Sequence, residues 1–201
     1  YVEIAVGSPR NRGTLVLKSD LHKYIPKDGT ALYRSVYLYN EDAKKFADSK
    51  GTLKGYHGER GIDNVLIDID RKDNSDEYTL KKLREILLHL NVLEVLDGSI
   101  QCYFSGTGYH IVITNKVFNF QPSDSLPYQV KQTMSSLFEN IDTSIYMRSG
   151  IYRVAHTKNQ KTGLYKIPIT LSQANTCSVE EIHSLASDPL LEYPYELLDG
   201  D

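Results

Sequence analysis

The amino-acid sequence predicts an α+β fold, in which a mainly antiparallel sheet carries helices on one face. Strand-like and helix-like patterns follow one another without the strict β-α-β order that a parallel sheet requires. Two strand-like stretches joined by a glycine-rich turn at residues 105–108 indicate an antiparallel hairpin, because glycine readily adopts the positive φ angles of such turns. A length of 201 residues with 40% hydrophobic residues suits one domain with a substantial core.

Strands are predicted where apolar or aromatic residues alternate with others over short stretches. The clearest examples are ALYRSVYLY and VLIDID, and in the second of these Val65 and Ile67 share one face. The predicted strands are residues 2–6, 31–39, 63–70, 99–104, 109–114, 144–154 and 164–171.

Helices are predicted from capping residues and from apolar residues three or four positions apart. Asn40 caps the first helix and Ser178 the last, while the longest helix is capped either by Thr79 or by the pair Ser75-Asp76. The predicted helices are residues 41–49, 79–92, 127–139 and 178–187. The apolar stripe of the longest helix consists of Leu80, Leu83, Ile86, Leu87 and Leu90.

Composition and charge narrow the class of protein. The net charge of −3 argues against a simple nucleic-acid coat protein. Charge is nevertheless unevenly distributed: residues 143–179 contain no Asp or Glu, whereas much of the acid lies in residues 59–97. A basic stretch beside an acidic one suits a site that binds cations and polyanions together. The cysteines Cys102 and Cys177 have no zinc-site spacing, so we expect two free thiols in a reducing compartment.

No apolar run is long enough to span a membrane. The chain begins at Tyr1 without a basic and apolar leader, so we expect no signal peptide and a piece of a longer protein.

Three short stretches have the composition of a chemical site. In the first, Asp68 and Asp70 end an apolar strand, and residues two apart on a strand point to the same face. Two carboxylates on one face repel each other unless a cation lies between them. Their hard oxygen ligands would select Mg²⁺ or Mn²⁺. A solvent-exposed strand end is the plainer alternative for this stretch alone.

The second stretch is SGTGYH, residues 105–110. A glycine-rich turn exposes backbone N–H groups and lets a phosphate approach closely, here at Gly106. Ser105 and His110 lie on either side of the turn, where a hydroxyl and an imidazole can donate to phosphate oxygens. The stretch is not a P-loop, because no GK[ST] follows it. An ordinary hairpin with a core histidine is the alternative.

The third stretch, DTSIYMRSGIYR, begins at Asp142 and carries Arg148 and Arg153. Arginine can donate two hydrogen bonds to one phosphate. The spacing of five requires a bulge at Ser149-Gly150 if both arginines are to share a face of one strand. The lysines that follow, Lys158, Lys161 and Lys166, are all candidates for a triphosphate contact, and Lys161 is our choice. A solvated basic hairpin is the alternative.

Taken together and in this order, the three stretches resemble the archaeo-eukaryotic primase superfamily, the primase-polymerases. VLIDID matches its hhhDhD motif, SGTGYH matches SGxGxH, and NID matches hD. DTSIYMRSGIYR is similar to the PrimPol type, and RVAHTKNQKTGLYKIPI is similar to phage and plasmid primase-polymerase domains. The resemblance covers about residues 31–170.

The resemblance implies a fold, the archaeo-eukaryotic primase fold: an RRM-like palm joined to an N-terminal α/β unit. We expect a single catalytic domain over residues 1–201. The N-terminal unit would cover about residues 1–60, the RRM-like catalytic core about 61–172, and a C-terminal helix and tail 173–201.

The resemblance also implies a reaction and its ligands. Asp68, Asp70 and Asp142 would hold two divalent metal ions and act as the catalytic residues. The residues expected to bind the incoming nucleoside triphosphate are Ser105, Gly106, His110, Arg148, Arg153 and Lys161. A 3′-hydroxyl would attack the α-phosphate and pyrophosphate would leave. Tyr146, beside Asp142, is a candidate sensor of the sugar 2′ position.

The expected partners are a single-stranded DNA template or primer-template and nucleoside triphosphates, with no membrane. Two cysteines cannot build the zinc module of many relatives, so extension is better supported than priming. No helicase P-loop is present, so a helicase would lie outside this chain. By family, we expect a phage or plasmid protein that acts in the cytoplasm of its host.

Two other classes of function fit the sequence less well. A rolling-circle initiator needs an HxH pair, and no two of the six histidines are two residues apart. An RRM-like module that binds nucleic acid without catalysis would carry the RNP aromatic pattern, which is absent. The sequence leaves open the choice between deoxynucleotides and ribonucleotides.

Overall fold

The computed structural model of the chain describes residues 1–139 and 141–188. Its strands are β1 Val2–Val6, β2 Thr14–Val16, β3 Leu32–Ser35, β4 Leu38–Tyr39, β5 Arg60–Gly61, β6 Asn64–Ile69, β7 Ile100–Phe104, β8 Tyr109–Thr114, β9 Ile151–Arg153 and β10 Ile167–Ile169. Its α-helices are α1 Glu41–Lys50, α2 Asp76–Val92, α3 Leu126–Leu137, α4 Leu171–Thr176 and α5 Val179–Ser187. Short 3-10 helices lie at Lys18–Tyr24, Asp97–Ser99 and Thr143–Tyr146.

The strands form antiparallel sheets, as the sequence predicts. The first sheet has the order β2-β1-β3-β9 and the second the order β10-β7-β8-β6, while β4 and β5 form a small two-stranded sheet. Every strand pair among the described residues is antiparallel. The protein is therefore an α+β protein with antiparallel sheets.

The second sheet is built from the succession β6-α2-β7-β8-α3, closed later in the chain by β10. The predicted hairpin is confirmed, since β7 and β8 pair directly through the turn at residues 105–108. β8 lies between β6 and β7, and this places His110 opposite Asp68 in the strand register. Two of the predicted site stretches are thereby neighbours on one sheet.

Helix starts follow the predicted caps. The Asn40 side chain accepts a hydrogen bond from Ala43 N at the start of α1. Ser75, one of the two alternatives, caps α2 by accepting from Tyr78 N. Ser178 begins α5 with a complete capping box. The predicted apolar stripe of α2 is buried, which fixes this helix against the second sheet.

One predicted strand, residues 31–39, is broken into β3 and β4. The break lies at Ser35, whose Oγ donates to Tyr37 O at 2.7 Å and accepts from Glu3 N at 3.0 Å. The next residue, Val36, donates its backbone N–H to Gly150 O. The Ser35 hydroxyl thus bonds to two backbone groups where β3 ends, and the chain leaves the first sheet after the bond between Val36 and Gly150.

The predicted strand at residues 144–154 is wrong for its first half. Asp142 accepts a hydrogen bond from Ser144 N at 2.9 Å and so starts the 3-10 helix Thr143–Tyr146. The alternation of apolar residues in this stretch is typical of a strand and led to the wrong prediction. A turn follows at Gly150, where an added Cβ would lie 1.9 Å from Ile145 O. The chain turns at Ser149-Gly150 instead of forming the predicted strand bulge.

The two predicted strands on either side of HTKNQKTG do not pair with each other. β9 pairs with β3 in the first sheet and β10 pairs with β7 in the second. The predicted strand at residues 164–171 is shortened to β10 because Thr170 caps α4 with a complete capping box. The loop between β9 and β10 therefore links the two sheets.

The main buried core extends from Leu15 to Ala186 and includes residues of both parts of the predicted division at residue 60. That division stays a prediction, and β9, from the second part, pairs with β3 of the first.

Residues 189–201 of the predicted C-terminal tail and Asn140 of the NID motif lie outside the described residues. Cys102 and Cys177 are free, as predicted. Among the described residues, no helix has the length and apolar character needed to cross a membrane.

Candidate active site

The candidate site begins with Asp68 and His110, which lie on paired strands of the second sheet. They lie opposite each other on β6 and β8, and His110 Nε2 is 3.5 Å from Asp68 Oδ1. The imidazole is 6% exposed, so its ring is part of the interior. Burial, with the nearby Lys166 and Arg153 cations, holds the pKa of His110 well below its usual value. The histidine is therefore neutral and can donate from only one ring nitrogen.

Asp70 and Asp142 lie beside this pair. β6 ends at Ile69, and Asp70 is exposed just beyond the strand end. Asp142 comes from the start of the 3-10 helix, and its Oδ2 is 3.6 Å from Lys72 Nζ. The hydrogen bonds from Ser144, followed by the Lys72 charge, lower the pKa of Asp142. Asp142 is thus an ionised carboxylate at neutral pH.

The three aspartates interact electrostatically. Burial, and next the charges of Asp70 and Asp142, raise the pKa of Asp68 to about 6. The prediction that these carboxylates meet is consistent with this coupling. They do not form a closed cage: within residues 1–139 and 141–188, no group of three or more His, Cys, Asp or Glu side chains is placed to hold a metal ion. A cation at this point would need ligands beyond the His, Cys, Asp and Glu side chains that the described residues group together.

The Ser105 turn is held by its own hydrogen bonds. Ser105 N donates to Gly108 O at 2.8 Å, and Gly108 N donates to Ser105 Oγ at 3.1 Å. Ser105 is 8% exposed. Gly106 has φ +94°, and an added Cβ would lie 2.6 Å from the Cβ of Asn159. The structure thus places Ser105 and Gly106 in a tightly packed turn. In this turn the side-chain oxygen Ser105 Oγ already accepts one hydrogen bond, from Gly108 N.

Gly108 brings this turn against the strand that carries the aspartates. A Cβ at this position would lie 2.2 Å from Ile69 O and 3.3 Å from Arg71 N. Only a residue without a side chain allows this approach, because both neighbours are backbone atoms. The glycine-rich turn therefore fixes the backbone on either side of Asp70.

A cleft of about 580 Å³ opens beside Asp70. It is formed by segments distant in sequence and is rich in cations and polar groups. The lining residues are Pro9, Tyr33, Asp70, Arg71, Lys72, Thr107, Arg153, Asn159, Gln160, Lys161 and Thr162. Four of these are basic and one is acidic, so the cleft favours a polyanion next to the aspartates.

The two arginines predicted to act together have different positions. Arg153 lines the cleft, donates from Nη1 to Ser105 O at 2.9 Å and from Nη2 to Tyr33 OH at 3.1 Å, and lies 5.3 Å from the Tyr33 ring centroid. Arg148 is exposed and is not among the cleft residues. Arg153 therefore joins the first sheet to the Ser105 turn, whereas Arg148 is separate from this site.

This difference gives a matched test of stability. Arg153→Lys should lower the free energy of unfolding by about 1–3 kcal/mol, because a lysine cannot donate to Ser105 O and Tyr33 OH in the same fork geometry. Arg148→Lys should change it by less than about 0.5 kcal/mol, as expected for an exposed side chain. Urea unfolding of the wild type and both variants measures this. Equal effects of the two substitutions would contradict the bridging role of Arg153.

The three candidate lysines are also separated. Lys161 lines the cleft, and Lys158 lies 5.1 Å from the Tyr165 ring centroid. Lys166 is 2% exposed and contacts His110 Nδ1 at 2.8 Å. Of these lysines, Lys161 has the position that suits a ligand in the cleft.

Tyr146 cannot touch a ligand in this conformation. It is 1% exposed, and its hydroxyl donates to Leu66 O at 2.7 Å. The prediction that Tyr146 senses the sugar is therefore wrong, because the Tyr146 ring packs in the core and does not face the cleft.

Sequence reasoning missed several cleft residues. Arg71 and Lys72 directly follow the VLIDID stretch, and that proximity to the aspartates was a usable signal. Tyr33 and Asn159 offered none, because they reach the cleft only through strand pairing and loop packing distant from the motifs.

Two comparisons with known proteins identify no relative of this chain. No family model matches the chain, and the search of curated proteins also finds no match.

Proposed function

We propose that the chain is the catalytic domain of a DNA-template-directed nucleotidyltransferase, a primase-polymerase of the archaeo-eukaryotic primase type. The observation that carries the proposal is the coupling of Asp68, Asp70 and Asp142 beside a cleft lined by basic side chains. Grouped carboxylates bind divalent cations, and grouped basic residues bind phosphates. A site that combines both suits a nucleoside triphosphate bound with its metal ions.

The donor set fits Mg²⁺ or Mn²⁺. Magnesium is usually held by one or two carboxylates, with substrate phosphates and water completing its coordination. Among the described residues, Asp68, Asp70 and Asp142 do not form a metal-holding group by themselves, so the proposed ions would depend on substrate phosphates and water for the rest of their coordination. When bound, two such ions lower the pKa of an attacking hydroxyl and stabilise the leaving oxygens.

The rest of the chemistry is positioning and charge neutralisation. The oxygen of a 3′-hydroxyl would form a bond to the α-phosphorus and lose its proton to water. The bond from that phosphorus to the bridging oxygen would break, and pyrophosphate would leave with the electron pair. Arg153 and Lys161 would neutralise the triphosphate from the cleft wall. Lys72 contacts Asp142 and lines the same cleft, so it would contribute charge at the boundary between carboxylates and phosphates. The cleft volume of about 580 Å³ suits a single nucleotide.

The fold offers partial support. The succession β6-α2-β7-β8-α3-β10 and the position of β8 between β6 and β7 agree with an RRM-like palm. Strands β1, β2 and β3 of the first sheet, together with α1, would form the N-terminal α/β unit. β10 lies beside β7, whereas an RRM-like sheet places its fourth strand beside the first, so this edge is a departure from that arrangement.

A primer-extension assay tests the proposal. The wild type is given a primed single-stranded template, deoxynucleotides or ribonucleotides, and Mg²⁺ or Mn²⁺. Extension should require both template and metal. Asp68→Ala/Asp70→Ala should lower its rate by about 1,000-fold, because the metal ions contribute several kcal/mol to the stabilisation of the transition state.

Asp73→Ala is the matched control, since Asp73 is an exposed aspartate in the loop that follows β6. Its rate should stay within twofold of the wild type. Full activity in the double variant would exclude the aspartates as metal ligands. Nucleotide binding without extension by the wild type would point to a binding module instead. Omission of the primer then separates priming from extension.

A further inference from the structure

Lys166 is the most completely buried charged side chain beside the candidate site, yet it lies outside the cleft lining. It sits at 2% exposure just before β10, between the two sheets. Its Nζ donates to Arg153 O at 2.7 Å and lies 4.8 Å from the Tyr103 ring centroid and 4.9 Å from that of Tyr152. Two aromatic faces and a carbonyl oxygen form an environment that stabilises an ammonium group.

The Lys166 ammonium group also contacts His110. The Lys166 Nζ to His110 Nδ1 distance is 2.8 Å, which is a hydrogen bond. An ammonium group has only donors, so Nδ1 is the acceptor and the ring proton is on Nε2. Nε2 is the atom that faces Asp68 Oδ1 at 3.5 Å. A continuous chain of contacts thus runs from Lys166 through His110 to Asp68.

The same tautomer follows if the amine is neutral. Burial and the Arg153 charge lower the pKa of Lys166 well below its usual value, while the charge of Asp68 acts in the opposite direction. A neutral amine still has two N–H groups, one for Arg153 O and one for His110 Nδ1. A proton on Nδ1 would leave the Nε2 lone pair facing the Asp68 carboxylate, which is an unfavourable contact between two acceptors.

We propose that Lys166 is a positioning residue, which donates to His110 Nδ1 and thereby holds the imidazole with its Nε2–H directed at the Asp68 carboxylate. A carboxylate oriented by a fixed donor presents its other lone pairs in a defined direction. The consequence for metal binding rests on the proposed function, whereas the hydrogen bond from Lys166 to His110 does not. Partners of this kind typically contribute about 10–100-fold to metal affinity or activity.

Two measurements on the whole chain test this. The first is ¹⁵N NMR of the histidine rings, with His110 assigned by its loss in His110→Gln. In the wild type, Nδ1 should be unprotonated and hydrogen-bonded and Nε2 protonated. In Lys166→Met, which removes the donor but keeps a long apolar side chain, the Nδ1 signal should shift to that of a nitrogen without a hydrogen bond.

The second measurement is the affinity for Mn²⁺ alone, read by electron paramagnetic resonance, together with extension kinetics. Lys166→Met should weaken Mn²⁺ binding and lower kcat by about 10–100-fold while the KM for nucleotide changes little. Lys131→Met, at an exposed position on α3, should match the wild type in both.

A protonated Nδ1 in the wild type, or an Nδ1 signal unchanged in Lys166→Met, would overturn the proposal whatever the activity. If Lys166→Met does not fold, the wild-type spectrum alone decides. Absence of Mn²⁺ binding and of extension in the wild type, with the expected ring signals present, would refute the proposed function and leave the positioning of His110 by Lys166 standing.

Discussion

Replacement of Asp68 by asparagine should stabilise the folded protein above pH 6 and abolish template-directed extension. In the folded state burial and the neighbouring Asp70 and Asp142 charges raise the pKa of Asp68 from 3.8 to about 6. The folded state therefore keeps its proton on Asp68 to a higher pH than the unfolded chain does. Stability from this group is present at low pH and is lost as the pH rises from about 4 to about 6. The loss is on the order of 3 kcal/mol, at about 1.36 kcal/mol per pKa unit.

The amide introduced by Asp68→Asn cannot ionise, so this variant should be about 1–3 kcal/mol more stable than the wild type at pH 7.5 and little different near pH 4. Urea unfolding at both pH values, in a chelator, measures this. His110, with its lowered pKa, gives a pH dependence of its own, in which stability rises with pH, and the comparison of wild type with variant removes that contribution. Asp73→Asn serves as the exposed control. A variant less stable than the wild type at pH 7.5 would show that Asp68 is not under electrostatic strain.

The same variant should lower the extension rate by about 1,000-fold, because a neutral amide is a poor metal ligand. A residue whose loss improves stability and removes activity is typical of a functional site. The combination distinguishes Asp68 from a structural carboxylate, whose replacement would weaken the fold.

Gly108→Ala should destabilise the protein by about 3 kcal/mol, at the upper end of the usual cost of overpacking. The added Cβ would lie 2.2 Å from Ile69 O and 3.3 Å from Arg71 N, and backbone atoms of a paired strand cannot move aside as a side chain can. No positive φ is required at Gly108, so the effect isolates crowding from conformational freedom. Extension should also fall, because Asp70 lies between the two displaced backbone groups.

Gly98→Ala is the matched control. An added Cβ at Gly98 meets nothing within 4 Å. The substitution should therefore be neutral or stabilise by up to about 1 kcal/mol. Thermal and urea unfolding of the two variants give the comparison. Equal stabilities would mean that the turn relaxes without cost and does not fix the position of Asp70.

Much of the local structure follows from short sequence signals. Asn40, Ser75 and Ser178 cap helices because their side-chain oxygens satisfy free backbone N–H groups, and this needs only the neighbouring residues. The β7-β8 hairpin likewise follows from the glycine-rich turn between two apolar strands, whereas the pairing of Asp68 with His110 depends on which of these strands lies beside β6. The antiparallel α+β class could therefore be predicted before the structure was known.

The wrong and missed predictions concern residues whose conformation or position is determined by contacts with residues distant in sequence. Residues 144–146 alternate like a strand, but the Asp142 cap and the buried Tyr146 hydroxyl hold them in a 3-10 helix. Lys166 is a lysine, a residue type that is seldom fully buried without partners, and those partners come from β7, β8 and β9. The choice of Arg153 over Arg148 for the cleft depends on strand β9 joining the first sheet, which no local pattern encodes.

The joining of β9 to β3 has a consequence for anyone who divides the chain into fragments. A fragment ending near residue 60 would keep β1, β2 and β3 but lose the strand that covers the open side of β3. The Leu32 C=O and Val36 N–H groups, which bond to Val154 N and Gly150 O, would then face solvent along an unprotected sheet edge, where strands of other molecules can add. A fragment that begins near residue 61 would in turn lose β3, the backbone partner of the strand that carries Arg153. Soluble fragments of this protein should therefore include both halves of the chain through β10.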